Sequence, residues 1–252
     1  MEIVVFIVLA ALAAAFAWWA AEQEKKRVEA LVLWQGARGF ELVARRRDNP
    51  GWHWDLFQRG HSRRAQALAI VRLPTATPGL DGAAAMLFEY HYAITSGSGK
   101  NRRTRHYWQT CAILDLAFDP GHVAFEAEGV GDKLAAMFGF DDIDFEDAEF
   151  SQRFKVKAER KKDAWDLLDG ALMTWLKDHP GVQFESRQRQ ALVVLESRGK
   201  ASPQRFEALL SWSRGFLAQV PRPLVNAERA RLSLPPIMQA GNASSASRAE
   251  RN

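Results

Sequence analysis

The sequence predicts an α+β fold, in which an N-terminal transmembrane helix precedes a soluble domain with an antiparallel β-sheet and a long central hairpin packed against two or three helices. The first observation is an uncharged apolar run over residues 3–21. The second is a pair of strand-like runs, over residues 84–95 and 104–116, joined by a glycine-rich polar stretch. The third is a helical apolar period over residues 161–177. Strands followed by helices favour the α+β class.

Composition limits the class of protein further. The chain has 252 residues, of which 47% are hydrophobic and 25% charged, and these are globular values. They exclude a mostly disordered chain and a polytopic membrane protein. The net charge of +4 is too small an imbalance to indicate a nucleic-acid protein. A single cysteine, Cys111, excludes an internal disulfide framework and a cysteine-rich zinc site.

The apolar run is predicted to be a retained single-pass membrane anchor. About 20 apolar residues span a hydrocarbon core of roughly 30 Å, and Trp18 and Trp19 stand where an interfacial aromatic belt is expected. A cleavable signal peptide is the alternative, with Ala15–Ala17 as its cleavage site, but no basic residue precedes the run. A core helix is disfavoured because the run has no polar face.

The charges beside the run predict its orientation. Lys25, Lys26 and Arg27 follow it, and no positive side chain precedes it. The positive-inside rule therefore places the N-terminus outside and the soluble domain in the cytoplasm, at the inner (plasma) membrane.

The remaining chain divides by local pattern. We expect a juxtamembrane helix and first strand over residues 22–45, a soluble α+β domain over 46–225, and a disordered tail over 226–252, which is polar and interrupted by prolines. Within the domain, the patterns predict further strands at 67–73, 122–128, 154–158, 182–186 and 191–196, and helices at 132–138, 147–153, 161–177 and from 202 onward. Pro221 and Pro223 are expected to end the last of these helices.

Four segments carry a resemblance to a known family: residues 56–65, residues 88–101, residues 141–156 and residues 164–176. The motifs include Phe-Glu-Tyr-His-Tyr in the second segment and Asp-Asp-Ile-Asp-Phe-Glu-Asp in the third. In order and spacing the chain resembles, over about residues 30–225, a family of uncharacterised bacterial proteins. Those proteins have one N-terminal transmembrane helix and a soluble domain of unknown function. The resemblance implies the architecture and no activity.

The connection of the hairpin is the candidate binding site. Lys100, Arg102, Arg103 and Arg105 place four positive charges in six residues. They are candidates for contact with an anionic lipid surface, because each basic residue near such a surface contributes about 1 kcal/mol. A solvated hairpin tip is the alternative. Nucleic acid is disfavoured, since the alternating aromatic residues of the hairpin are typical of a core.

Motifs for catalysis, cofactors and metals fail on their spacing. Ser98-Gly99-Lys100 lacks the first glycine of a phosphate-binding loop, where Ile94 stands. Acids at 142, 144 and 146 lack the glycine and glutamate of a calcium loop. His91 and His106 are expected to approach across the hairpin, but two ligands make a poor metal site. We predict no catalytic, cofactor-binding or metal-binding residue.

Three functions remain after these exclusions. The favoured one is a membrane-tethered, non-enzymatic interaction domain with a protein partner that the sequence does not identify. The alternatives are an enzyme with a dispersed active site, and anionic lipid or nucleic-acid binding through the basic tip. The acidic run over residues 126–149 is expected to pair within the chain with the basic run over residues 153–162.

Overall fold

The computed structural model describes residues 2–73, 83–128, 140, 142–197 and 199–234. The first element, α1 (Glu2–Ala37), joins the predicted membrane helix and the predicted juxtamembrane helix into one helix of 36 residues. Its most apolar window has a mean hydropathy of 2.4, and none of that window is buried against the rest of the chain. By length and composition α1 can cross a membrane. Val28 and Leu31 near its other end are buried.

Among the described residues, eight strands form a single antiparallel sheet in the order β1-β2-β3-β4-β8-β7-β5-β6. The strands are β1 (Glu41–Asp48), β2 (His61–Arg72), β3 (Ala84–Ser96), β4 (Arg103–Asp115), β5 (Val123–Ala127), β6 (Phe154–Ala158), β7 (Val182–Arg187) and β8 (Gln190–Leu195). This architecture confirms the predicted fold class.

The predicted central hairpin is confirmed as β3 and β4, whose register is unbroken from Ala85 opposite Leu114 to Ser96 opposite Arg103. Its connection contains Gly97 at φ +82°, in the left-handed region. A Cβ atom at this position would lie 2.4 Å from the carbonyl oxygen of Asn101. Glycine is therefore required here by both conformation and space.

The helices after α1 are α2 (Ala148–Arg153), α3 (Lys161–Leu167), α4 (Gly170–Asp178), α5 (Pro203–Gln219) and α6 (Arg222–Arg231). The prediction of a single helix over 161–177 is wrong in one respect, because the helix is interrupted between α3 and α4. Asp169 there caps α4 by accepting a hydrogen bond from the Leu172 amide at 2.9 Å. A short acidic side chain followed by glycine favours a new helix start.

The end of the chain differs from the expected boundary. Pro221 and Pro223 were expected to end helical structure, but α6 begins between them, since proline is tolerated in a first helical turn. Val225 and Glu228 of α6 are buried. Helix therefore extends to residue 231, past the predicted start of the tail at 226. Residues 235–252, like the helix predicted at 132–138, lie outside the described residues.

An apolar cluster lies on each of the two faces of the sheet. Helices cover one face, where the rings of Phe125 and Phe184 stack at 4.7 Å and Phe184 meets Phe216 of α5 at 4.9 Å. On the opposite face, Phe57 packs edge-on against Tyr90 at 4.7 Å. The hairpin aromatics on this face are core residues, as their alternation indicated.

Candidate functional site

A buried ion pair joins α1 to the sheet. Arg27, on the packed half of α1, places Nη2 2.6 Å from Oε1 of Glu89 on β3. The Glu89 side chain is completely buried, and its second oxygen accepts the amide of Ala201, just before α5. Arg27 Nη1 donates to the Ala201 carbonyl oxygen at 2.9 Å. Three separate parts of the chain therefore meet at one carboxylate.

The pair extends along α1 towards its apolar half. Arg27 also bonds Oε1 of Glu24 at 2.7 Å, and Lys200 reaches Oε2 of the same carboxylate at 2.5 Å. Burial raises the pKa of Glu89, and the hydrogen bond from Arg27 opposes that rise. Charge pairing thus offsets part of the cost of burying the carboxylate.

A row of cationic and aromatic side chains lies beside this pair. Arg64 of β2, His91 of β3 and Trp108 of β4 are directly opposed in register, so they share one face of the sheet. The Arg64 guanidinium lies 5.0 Å from the centre of the Trp108 ring, and the His91 ring lies 4.3 Å from it. Lys200 Nζ approaches the same ring to 4.9 Å. The Arg64 and Lys200 distances are those of cation–π contacts.

His91 and His106 approach across the hairpin as expected, with Nε2 of His91 3.0 Å from Nδ1 of His106. His91 Nδ1 donates to the carbonyl oxygen of Ser62 at 3.1 Å, so its Nε2 accepts from His106. Burial, followed by the charge of Arg64, lowers the pKa of His91 to about 4. Neutral His91 is therefore a hydrogen-bonded packing residue. Among the described residues, no group of three or more potential metal ligands occurs.

Two cations of this region have no carboxylate partner among the described residues. Arg64 Nε donates to the Gln66 side chain at 3.1 Å, and Arg205 Nε donates to Thr110 Oγ1 at 2.9 Å. Burial lowers the pKa of both guanidinium groups. We name the junction cluster by its members: Glu24, Arg27, Arg64, Glu89, Trp108, Lys200 and Arg205. It contains four cations and two carboxylates.

The sequence-predicted candidates lie elsewhere. Lys100, Arg102, Arg103 and Arg105 are all exposed at the tip of the hairpin. None of them makes an ion pair within the part of the chain that the structure describes. The structure thus keeps the four charges together at the tip and does not bring them into the junction cluster.

Other features identified in the sequence have local roles. Pairing between the acidic and basic runs is confirmed by Lys155–Glu128 and Lys157–Asp142, each at 3.5 Å. Cys111 is buried, and burial raises the pKa of its thiol well above the usual range. It is a small residue of the core on the Phe57–Tyr90 face of the sheet.

A groove of about 630 Å³ between α3 and α6 is lined by polar and charged side chains, and its buried carboxylates, Asp163 and Glu228, are both ion-paired. Its most enclosed carboxylate on α3, Asp163, accepts two hydrogen bonds from Arg160 at 2.8 and 2.7 Å. The Asp163 carboxylate of this groove is thus held by a partner within the chain.

The fold and the junction cluster define an α+β domain that is joined to a helix able to cross a membrane. Comparison with protein-family models and with curated proteins gives no match. A solved structure with the same fold is the mycobacterial trehalose monomycolate transport factor A, TtfA. The TM-score is 0.51 at 13% sequence identity, and the match covers 85% of this chain and 97% of that one. At this identity the likeness shows the fold alone.

Sequence reasoning did not find the junction cluster. Glu89 was assigned to the strand face opposite Phe88 and Tyr90 without a partner, Trp108 was grouped with the other aromatic residues of the hairpin, and Arg205 was given no role in the last helix. The one usable signal was Glu89 within an otherwise apolar and aromatic run from Leu87 to Tyr92. A lone acid in such a run indicates a buried partner of opposite charge.

Proposed function

We propose that this chain is a single-pass membrane protein whose domain acts as a non-enzymatic interaction module at the membrane surface. The observation that carries the proposal is the continuity of α1. Its apolar half is exposed, and its polar half is packed onto the sheet through Val28, Leu31 and the Arg27–Glu89 pair. The helix is therefore both anchor and structural element of the domain.

Continuity fixes the domain close to the bilayer. Six residues separate Ala21 from Arg27, which corresponds to about 9 Å along a helix. A flexible tether would let the domain sample many orientations, whereas a packed helix presents one face to neighbouring membrane components. Such geometry suits a partner that is itself in the membrane.

A transport-associated role is the process we propose for the module. A protein of known structure with this fold is named a transport factor. We extend only the general role to this chain and propose no cargo. The domain would then act by contact with a membrane transport assembly.

The proposed orientation places the domain in the cytoplasm, at the plasma membrane, on the basis of Lys25–Arg27. The test is a reporter fused after Asn252, because Val225 is buried in α6 and a fusion there would interrupt the domain. A fluorescent protein should be bright and alkaline phosphatase inactive at this position. Active phosphatase with dark fluorescent protein would show the opposite orientation.

Retention of the anchor needs its own test. The mature full-length chain should keep its N-terminal residues by intact mass, and alkaline carbonate should leave it in the membrane pellet. A mature chain that begins at Trp18 and is released by carbonate would establish signal cleavage after Ala17.

A second candidate function uses the hairpin tip as a salt-sensitive contact with anionic lipid. It is favoured by four exposed cations with no ion pair among the described residues. The test attaches an NBD fluorophore to Ser98→Cys in full-length protein reconstituted into vesicles. Its emission maximum should shift to shorter wavelength when the vesicles contain anionic lipid, and should shift back when salt is added. The shift should be absent from Arg102→Gln/Arg103→Gln/Arg105→Gln; an equal shift in neutral vesicles would contradict the idea.

A further inference from the structure

The junction cluster lies at the depth where lipid headgroups lie, if α1 spans the membrane as proposed. Glu24 is three residues beyond Ala21, about 5 Å along the helix axis. Lys200 bonds Glu24 directly and contacts the ring of Trp108. The helix therefore brings Lys200, and Trp108 of β4, to the membrane surface.

Positive charge in the cluster exceeds what its carboxylates neutralise. Glu89 pairs with Arg27, and Glu24 is shared by Arg27 and Lys200. Arg64 and Arg205 make no ion pair among the described residues. Half-buried guanidinium groups without a counter-charge are costly, and an anion placed beside them would lower that cost.

The geometry around Trp108 prepares two of the cations for a ligand. Arg64 and Lys200 both lie about 5 Å from the centre of the indole ring, so cation–π contacts limit their motion. Arg64 uses Nε for Gln66, and the structure shows no acceptor for its terminal nitrogens among the described residues. A guanidinium with free donors matches phosphate oxygens well. The partly exposed indole offers an apolar surface next to them.

We propose that the junction cluster binds the phosphate of an anionic lipid headgroup, with Arg64 and Lys200 as the phosphate ligands and Trp108 in contact with the glycerol portion. The proposal rests on the membrane anchoring proposed above. Free phosphate shares the same chemistry, but the position of the cluster next to the end of the apolar run selects the lipid. The junction cluster shares no residue with the hairpin tip. It is half-buried and would bind a single headgroup, whereas the tip is exposed.

The test uses the full-length protein in neutral detergent micelles with native mass spectrometry. Short-chain phosphatidylglycerol and phosphatidylcholine with equal acyl chains are titrated separately. We expect one phosphatidylglycerol to be retained per chain and phosphatidylcholine to be retained at least tenfold less. Arg64→Gln/Lys200→Gln should lower phosphatidylglycerol retention at least tenfold. The matched control Arg102→Gln/Arg103→Gln removes the same charge from the tip and should retain the lipid.

Three results would overturn the proposal. The first is equal retention of both lipids. The second is that the tip control Arg102→Gln/Arg103→Gln loses the lipid while Arg64→Gln/Lys200→Gln keeps it. The third is displacement of the lipid by stoichiometric inorganic phosphate. The circular dichroism spectrum and the unfolding midpoint of Arg64→Gln/Lys200→Gln, compared with wild type, separate loss of binding from loss of folding. Carbonate extraction and the C-terminal reporter do not depend on these side chains. Failure of the lipid site is thereby distinguishable from failure of the anchor.

Discussion

At the scale of single residues, Glu89 is the position on which the connection of α1 and the sheet depends. Its carboxylate is fully buried and is satisfied by Arg27 and the Ala201 amide. A buried ion pair of this type is expensive to break from one side only, because the remaining charge is left without a partner. The first prediction follows from that asymmetry.

Replacement Arg27→Met should destabilise the domain by about 3 kcal/mol, because it leaves the buried Glu89 charge unpaired. The measurement is the thermal unfolding midpoint of the full-length protein in detergent. Lys26→Met is the matched control, since Lys26 is exposed on the same helix. The double variant Arg27→Met/Glu89→Gln should recover much of the loss, and a double variant as unstable as Arg27→Met would contradict the explanation.

The second prediction concerns His91, whose pKa falls from 6.5 to about 4. The folded protein keeps His91 neutral, so the unfolded chain binds this proton first as the pH falls. The stabilising contribution is complete above pH 6.5 and is lost between pH 6.5 and 4. The loss should amount to roughly 1–3 kcal/mol.

Stability measured against pH for wild type and His91→Gln gives the test. The difference between the two curves should shrink as the pH falls through that window. Arg64, His106 and Glu24 face the same imidazole, so the difference curve and not the absolute curve is informative. His53→Gln, at an exposed position, is the control. Parallel curves for wild type and His91→Gln would show that the burial of His91 has no energetic consequence.

At the scale of elements, the central hairpin depends on its connection. Gly97 and Gly99 both adopt positive φ, at +82° and +54°, but only Gly97 has a close neighbour. A Cβ at Gly97 would meet the Asn101 carbonyl oxygen at 2.4 Å, whereas a Cβ at Gly99 would meet nothing within 4 Å. The two positions share the conformational cost and differ in the steric one.

Gly99→Ala should therefore cost about 1 kcal/mol, and Gly97→Ala about 2–3 kcal/mol. Denaturant midpoints of the two variants, compared with wild type, measure the difference. Both single changes leave the basic side chains of the tip in place. Equal costs at the two positions would mean that the contact with Asn101 relaxes without penalty.

Elements with a clear periodicity of apolar residues were predicted well. Elements whose ends depend on two opposing sequence signals were not. The hairpin was found because β3 and β4 alternate over more than ten residues and are joined by glycines. The helix break at Asp169 was missed because the apolar period of α3 continues into α4. That period was given more weight than Asp169, which is a favourable N-cap residue. The helix α6 was missed because proline was interpreted as a terminator, although it also starts helices.

At the scale of the whole molecule, α1 determines how the domain relates to its surroundings. Val28 and Leu31 pack in the same apolar cluster as the helices α3–α5, and the buried Gln35 donates to the Ala67 carbonyl oxygen at 2.9 Å. The polar half of α1 is thus part of the folded unit, and the apolar half is not.

Truncation separates the two halves. Deleting residues 2–21 should leave a soluble protein with an unfolding midpoint near that of the full chain. Deleting residues 2–37 should cost several kcal/mol, because it exposes apolar surface worth about 2–4 kcal/mol and leaves Glu89 unpaired. Thermal unfolding followed by circular dichroism measures both. A cooperative transition of unchanged midpoint after the longer deletion would show that α1 only rests on the sheet.

The sequence by itself determined the features that depend on local composition and period: the apolar run, the charges beside it, the central hairpin and the α+β class. Only the tertiary structure decided the junction cluster. Lys200 and Glu24 are 176 residues apart along the chain, and Arg27 and Glu89 are 62 apart. From its neighbours in the sequence alone, each of these four residues is expected to be a solvent-exposed charge. They become neighbours because strand register aligns Arg64, His91 and Trp108, and because α1 and α5 dock on that face. Pairing of distant charges is a property of packing, which no local period encodes.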